Sequence, residues 1–262
     1  MTADSKTKQK RTSGFKRFRK AANAYRKDCL SSWYESIFVQ DEQVPPYFCE
    51  GLESFGILLK GRSLEQLPRF DGQFEDCFVV NNFDEEMRLV GDSLAGKRCV
   101  HVVNRLMTAP LQPCNYERLN IKDVQLPKVS AFADKRLYRS IQHYRSLGLN
   151  VHFLPRKLLE SNRRDFGREY LKKYPNTGVL AIIYALEILR PRELWVIGLD
   201  FYQSDYLVRR PHQNPINLQR EKIRRTNLVE VTANIFRRYS ATKVNMVSYY
   251  KGFPEIENVR TL

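Results

Sequence analysis

The chain has 262 residues, 44 Lys+Arg against 29 Asp+Glu, a formal charge of +15 and 42% hydrophobic residues. That much apolar side chain excludes collagen-like, low-complexity and wholly disordered classes. Five cysteines (Cys29, Cys49, Cys77, Cys99, Cys114) without CxxC spacing argue against a disulfide framework and a thiolate metal site. With no run of 18 apolar residues and no apolar segment in MTADSKTKQKRTSGFKRFRK, neither a membrane span nor a secretory leader is expected, and a cytoplasmic, reducing location follows.

The charge is unevenly placed. Residues 1–30 hold ten Lys/Arg against Asp4 and Asp28, a local charge of +8, which leaves +7 for the rest. With Phe15, Phe18, Tyr25 and Trp33 interleaved, this basic arm suits an anionic partner, either phospholipid headgroups or nucleic acid; a solvated tail is the plainer alternative. Residues 1–20 are expected to touch an anionic membrane surface, making the protein peripheral on its inner face. The expected division is a basic arm with a helical extension over 1–50 and one α/β domain over 51–262.

From Phe55 short apolar runs alternate with helical patterns, the signature of βα units around a mostly parallel sheet. The strands expected are Phe55–Leu59, Cys77–Val80, Cys99–Val103, Asn150–Leu154, Leu194–Ile197 and Val244–Val247. Helices are expected over Asp134–Leu147, Arg156–Lys172, Thr177–Leu189 and Asn217–Tyr239; the third is apolar on nearly every face and should be buried. Leu106–Lys128, with Pro110, Pro113 and Pro127, reads as an irregular connection or small lid.

In an open α/β sheet ligands sit at the carboxyl ends of strands, so the turns carry the functional information. Lys60-Gly61-Arg62-Ser63 follows the first strand, and Gly61 would let backbone N–H groups approach an anion. Asn81 and Asn82 end the second strand and Asn104 the third, and side-chain amides there suit a nucleobase, ribose or sugar. In Tyr174-Pro175-Asn176-Thr177-Gly178, Thr177 is placed to cap the buried helix, whose first N–H groups form an anion site. That helix feeds Leu194–Ile197 and the turn Gly198-Leu199-Asp200-Phe201-Tyr202-Gln203, which brings in the phenols of Tyr202 and Tyr206. Each of these residues also has an ordinary structural use, as a turn former, a cap or packed core.

Taken in order, LLKGRSLEQL, CFVVNNF, AGKRCVHVVN, NTGVLAIIYAL and ELWVIGLDFYQ resemble the bacterial sialyltransferases of glycosyltransferase family 42, over about Phe55 to Gln203. The resemblance implies a Rossmann-like domain with a small lid, here around 203–225. It also implies an inverting, metal-independent glycosyltransferase that uses CMP-sialic acid as donor substrate, without a cofactor, and a glycan or lipid-linked saccharide as acceptor. On it, Gly61 and Ser63 match the turn that approaches the donor, while Lys60 stands where an Asn is usual. Asn81, Asn82 and Asn104 match the strand-end amides, Thr177 and Gly178 the helix opening, and Tyr202 and Tyr206 the phenols that help the phosphate leave. The catalytic histidine of the lid can be matched only by His212, at altered spacing, with Arg224 an alternative under end-to-end alignment. Two other readings stay open: a pterin diphosphokinase-like or flagellin-modifying protein, which shares GRSL and the G-L-D turn, and a catalytically silent nucleic-acid- or membrane-binding relative.

Overall fold

The structure is a computed structural model that describes residues 22–23, 52–103, 111–126, 135–153, 176–202, 206–208 and 228–262. The basic arm apart from Ala22 and Asn23, the expected helix Arg156–Lys172, most of the expected lid, Asn104 and His212 lie outside the described residues.

Eight strands form one parallel sheet: β1 (Ser54–Leu58), β2 (Asp76–Val80), β3 (Arg98–Val102), β4 (Asp123–Leu126), β5 (Asn150–Phe153), β6 (Glu193–Ile197), β7 (Lys243–Val247) and β8 (Val259–Thr261), in the order β5-β4-β3-β2-β1-β6-β7-β8. The chain steps outward from β1 to β5, returns to the other side of β1 at β6, and steps outward again. The place where it reverses lies between the carboxyl ends of β1 and β6, the position at which doubly wound sheets bind ligands.

The helices are α1 (Met87–Val90), α2 (Pro113–Arg118), α3 (Lys135–Ser146), α4 (Thr177–Tyr184) and α5 (residues 228–238), with a 3₁₀ segment over Arg62–Arg69. Parallel register puts paired residues on one side of the sheet, which separates two faces. On one, Phe55 meets Phe78 edge-on at 4.8 Å, and Tyr184 of α4 closes over Phe78 at 5.8 Å. On the other, Phe70 lies 5.4 Å from Trp195, Phe74 packs over Gly56, and Tyr144 of α3 meets His101 edge-on at 6.3 Å. With both faces covered the central strands are buried throughout, as expected for a parallel sheet, and all of α4 is buried with them. The fold is thus a Rossmann-like α/β sheet with flanking helices.

Several segments differ from the sequence reading. Within Leu106–Lys128, Pro113 opens α2 at a position where its missing N–H costs nothing, and Asp123–Leu126 becomes β4 by pairing between β3 and β5. The 3₁₀ segment at Arg62–Arg69, which buries Leu64 and Leu67, is also an addition, as are the short α1 and the three-residue edge strand β8, which is too short to show periodicity. Among the described residues no helix is long and apolar enough to cross a membrane.

Candidate functional site at the sheet reversal

The turns after β1 and β6 remain zipped beyond the strands: Leu59 N donates to the Ile197 carbonyl at 2.8 Å and Gly61 N to the Gly198 carbonyl at 2.9 Å. This closeness dictates glycine at both positions. A Cβ on Gly198, whose φ is +86°, would sit 2.3 Å from the Leu59 carbonyl oxygen, and one on Gly61 would sit 2.5 Å from the Gly198 oxygen. Gly61 is therefore required by strand-end packing, whatever else its turn does.

Asp200 joins three turns. Its Oδ2 accepts Ser63 N at 2.8 Å, and its Oδ1 accepts the Ser63 hydroxyl at 2.6 Å and Tyr249 N at 2.9 Å, with Ser248 Oγ 3.2 Å away. The carboxylate is buried, and these donors replace its lost water. Ser63 is fully buried as well, and its single proton is shared between Asp200 and the Val247 carbonyl 3.0 Å away. The Gly61 and Ser63 amides and the Ser63 hydroxyl are thus committed within the fold, which leaves the Lys60 and Arg62 side chains as the charged groups of this turn.

Beyond Asp200 two successive non-glycine residues take the left-handed conformation, Phe201 at φ 47° and Tyr202 at φ 59°. Each costs of order 1 kcal/mol. Phe201 is held by its ring, stacked 5.5 Å from Phe253 and 5.1 Å from Tyr250. The kink turns the partly exposed Tyr202 toward the start of α4, where its hydroxyl accepts from Asn176 Nδ2 at 3.3 Å. Tyr206 stands edge-on to Tyr202 at 6.3 Å; it forms an antiparallel bridge with Gly61, and the Lys60 ammonium lies 5.4 Å from its ring centre.

The helix start is capped by Asn176 and not by Thr177, which corrects the sequence reading. Asn176 keeps extended backbone (ψ 165°) and its Oδ1 accepts Val179 N at 2.9 Å, so Thr177 becomes the first helical residue and is nearly buried. The first intrahelical bond runs from Leu180 N to the Asn176 carbonyl, which leaves the amides of Thr177 and Gly178 ahead of it at the positive end of the helix dipole. A Cβ on Gly178 would lie 2.8 Å from the Leu59 side chain, so the first turn of α4 sits directly on the end of β1.

Asn81 and Asn82 belong to a neighbouring network at the end of β2. Asn81 is left-handed at φ 62°, its N–H donates to Val102, and its carbonyl lies 2.9 Å from His101 Nε2. A carbonyl only accepts, so Nε2 carries the proton and Nδ1 accepts the Tyr116 hydroxyl at 2.9 Å. Burial lowers the His101 pKa to about 4, which keeps it neutral. Asn82 Nδ2 donates to Asp84 Oδ2 at 3.1 Å, while Asp84 Oδ1 accepts Gln112 N and Asn115 Nδ2.

Of the residues singled out in the sequence, Gly61, Ser63, Thr177, Gly178, Tyr202 and Tyr206 thus meet at the reversal point. Asn81 and Asn82 stand one strand away, and Asn104 and His212 lie outside the described residues. Asn176 and Asp200 complete the cluster. Asn176 had a legible signal, since Asn ranks with Asp and Ser as the preferred N-cap; Asp200 stood in the G-L-D turn already singled out, but nothing local pointed to its contact with Ser63.

These features define a doubly wound parallel α/β protein with a polar, phenol-lined cluster at its sheet reversal. No protein-family model matches the chain, and no curated protein sequence matches it. Among solved structures it is similar to the sialyltransferase CST-II, in a tyrosine-to-phenylalanine variant in complex with CMP, at 14% identity and a TM-score of 0.45, over 80% of this chain and 89% of that one.

Proposed function

We propose that this protein is an inverting, metal-independent sialyltransferase that moves sialic acid from CMP-sialic acid to a glycan or lipid-linked saccharide. The observation that carries the reading is the convergence of the α4 start, with its leading Thr177 and Gly178 amides, and the Tyr202 and Tyr206 phenols at the reversal between β1 and β6. It agrees with the ordered sequence motifs, which match the sialyltransferase pattern at the same turns.

In this reading the CMP phosphate lies at the helix start. The phenols and amides stabilise the negative charge that develops as the bond from the anomeric carbon to the phosphate oxygen breaks. The acceptor hydroxyl attacks that carbon from the opposite side and gives its proton to His212, and CMP leaves with the bonding electron pair. Gly61 and Ser63 shape the donor turn, and Asn81, Asn82 and Asn104 recognise the nucleoside. The Asp200 carboxylate is occupied by Ser63 and Tyr249, so charge at the phosphate is met by neutral donors and by Lys60. Residues 1–20 hold the enzyme at an anionic membrane where a lipid-linked acceptor would lie.

Calorimetry with CMP in the presence and absence of EDTA, followed by CMP release from CMP-sialic acid, tests the proposal. Binding insensitive to chelation is expected. Stabilisation by UDP-sugars or ATP in place of CMP would reject it in favour of another nucleotide-dependent activity.

A further inference from the structure

The orientation of the Asn176 amide is fixed by its neighbours. Val179 N only donates, so the terminal atom facing it at 2.9 Å is Oδ1, and the group facing Tyr202 Oη at 3.3 Å is the NH₂. An NH₂ only donates, so the Tyr202 oxygen accepts this bond and its own proton is left for an acceptor other than Asn176. The side chain that caps α4 therefore also sets the polarity of the phenol beside the helix start. The Tyr202 backbone is committed to the same arrangement, being left-handed and anchored through Phe201 to Tyr250 and Phe253.

We propose that Asn176 is a positioning residue whose amide makes the Tyr202 hydroxyl a hydrogen-bond donor at the start of α4. What that proton meets when a ligand is bound rests on the nucleotide reading above; the Asn176–Tyr202 coupling does not. The sequence motif gives this role to no residue, because the capping bond and the phenol contact come from opposite ends of one amide.

The test uses Asn176→Ser and Asn176→Asp in the full chain. Ser and Asp are caps of similar quality to Asn, so both variants should fold and melt close to the parent. Ser lacks the NH₂, and Asp replaces it with a second acceptor. The probe is 3-fluorotyrosine at the 14 tyrosines, with the Tyr202 resonance assigned by Tyr202→Phe. Loss of an N–H donor, and then gain of a carboxylate acceptor, both raise the electron density of the ring. The Tyr202 fluorine signal should therefore move in Asn176→Ser and move further the same way in Asn176→Asp, whereas a purely capping role would leave it in place in both. CMP affinity should fall about tenfold or more in Asn176→Ser and in Tyr202→Phe, with the double variant no weaker than the weaker single. An unmoved fluorine signal in the folded variants would overturn the proposal. A parent protein that ignores CMP while the signal still moves would overturn the nucleotide reading and uphold the coupling.

Discussion

Ser63 and Asp200 are 137 residues apart in sequence and joined twice, by the Ser63 amide on Oδ2 at 2.8 Å and the Ser63 hydroxyl on Oδ1 at 2.6 Å. The pair ties the turn after β1 to the turn after β6 at the reversal of the sheet. Ser63→Ala removes a buried, charge-assisted hydrogen bond while keeping the amide contact, and should lower unfolding free energy by about 2 kcal/mol. Urea denaturation measures this, and a loss below about 0.5 kcal/mol would show that the hydroxyl bond contributes little net stability.

Gly198 and Gly72 offer a paired comparison. Gly198→Ala meets both a left-handed φ and a contact 2.3 Å from the Leu59 oxygen, whereas a Cβ on Gly72 meets nothing within 4 Å at an ordinary φ. Gly198→Ala should cost about 3 kcal/mol or more, or prevent folding, while Gly72→Ala should be neutral or stabilising by about 0.5 kcal/mol. Equal melting temperatures for the two variants would contradict the strand-end geometry.

His101 makes stability depend on pH. Its folded pKa of about 4 lies below the unfolded value of 6.5, so between these the unfolded chain binds the extra proton and stability falls as pH falls. The full contribution is present above pH 6.5, and the loss approaches about 3 kcal/mol at the acid end of that window. Denaturation midpoints at several pH values for the parent and His101→Gln should diverge in slope between pH 6.5 and 4; parallel curves would assign the acid sensitivity to other groups.

Because Asn176 is the cap, Thr177→Val leaves helix capping untouched and its melting temperature should stay near that of the parent. The proposed phosphate site predicts weaker CMP binding in this variant. An unchanged dissociation constant by calorimetry would make Thr177 a core residue alone.

The proposed base gives a kinetic prediction of a different kind. His212→Ala should lower turnover by about 100-fold or more and leave CMP affinity nearly unchanged, because a base acts on the acceptor hydroxyl and not on the nucleotide. Near-normal turnover in a folded variant would transfer the role to another group.

The strand and helix alternation was legible in the sequence because apolar β-branched runs and the uniformly apolar stretch at Thr177–Leu189 are local properties of burial. All six strands expected from such runs are present, and the turns that follow β1 and β6 were recognisable as turns at the carboxyl ends of strands. The tertiary structure alone decided how those turns meet. Asp123–Leu126 is a strand only because β3 and β5 supply partners on either side, and insertion of β6 beside β1 carries Asp200 to Ser63 across 137 positions. Capping by Asn176 is a local bond to Val179 that a preferred cap residue could signal; its second contact could not be read locally, because only the three-dimensional approach of the β6 turn to the α4 start brings Tyr202 to the other end of that amide.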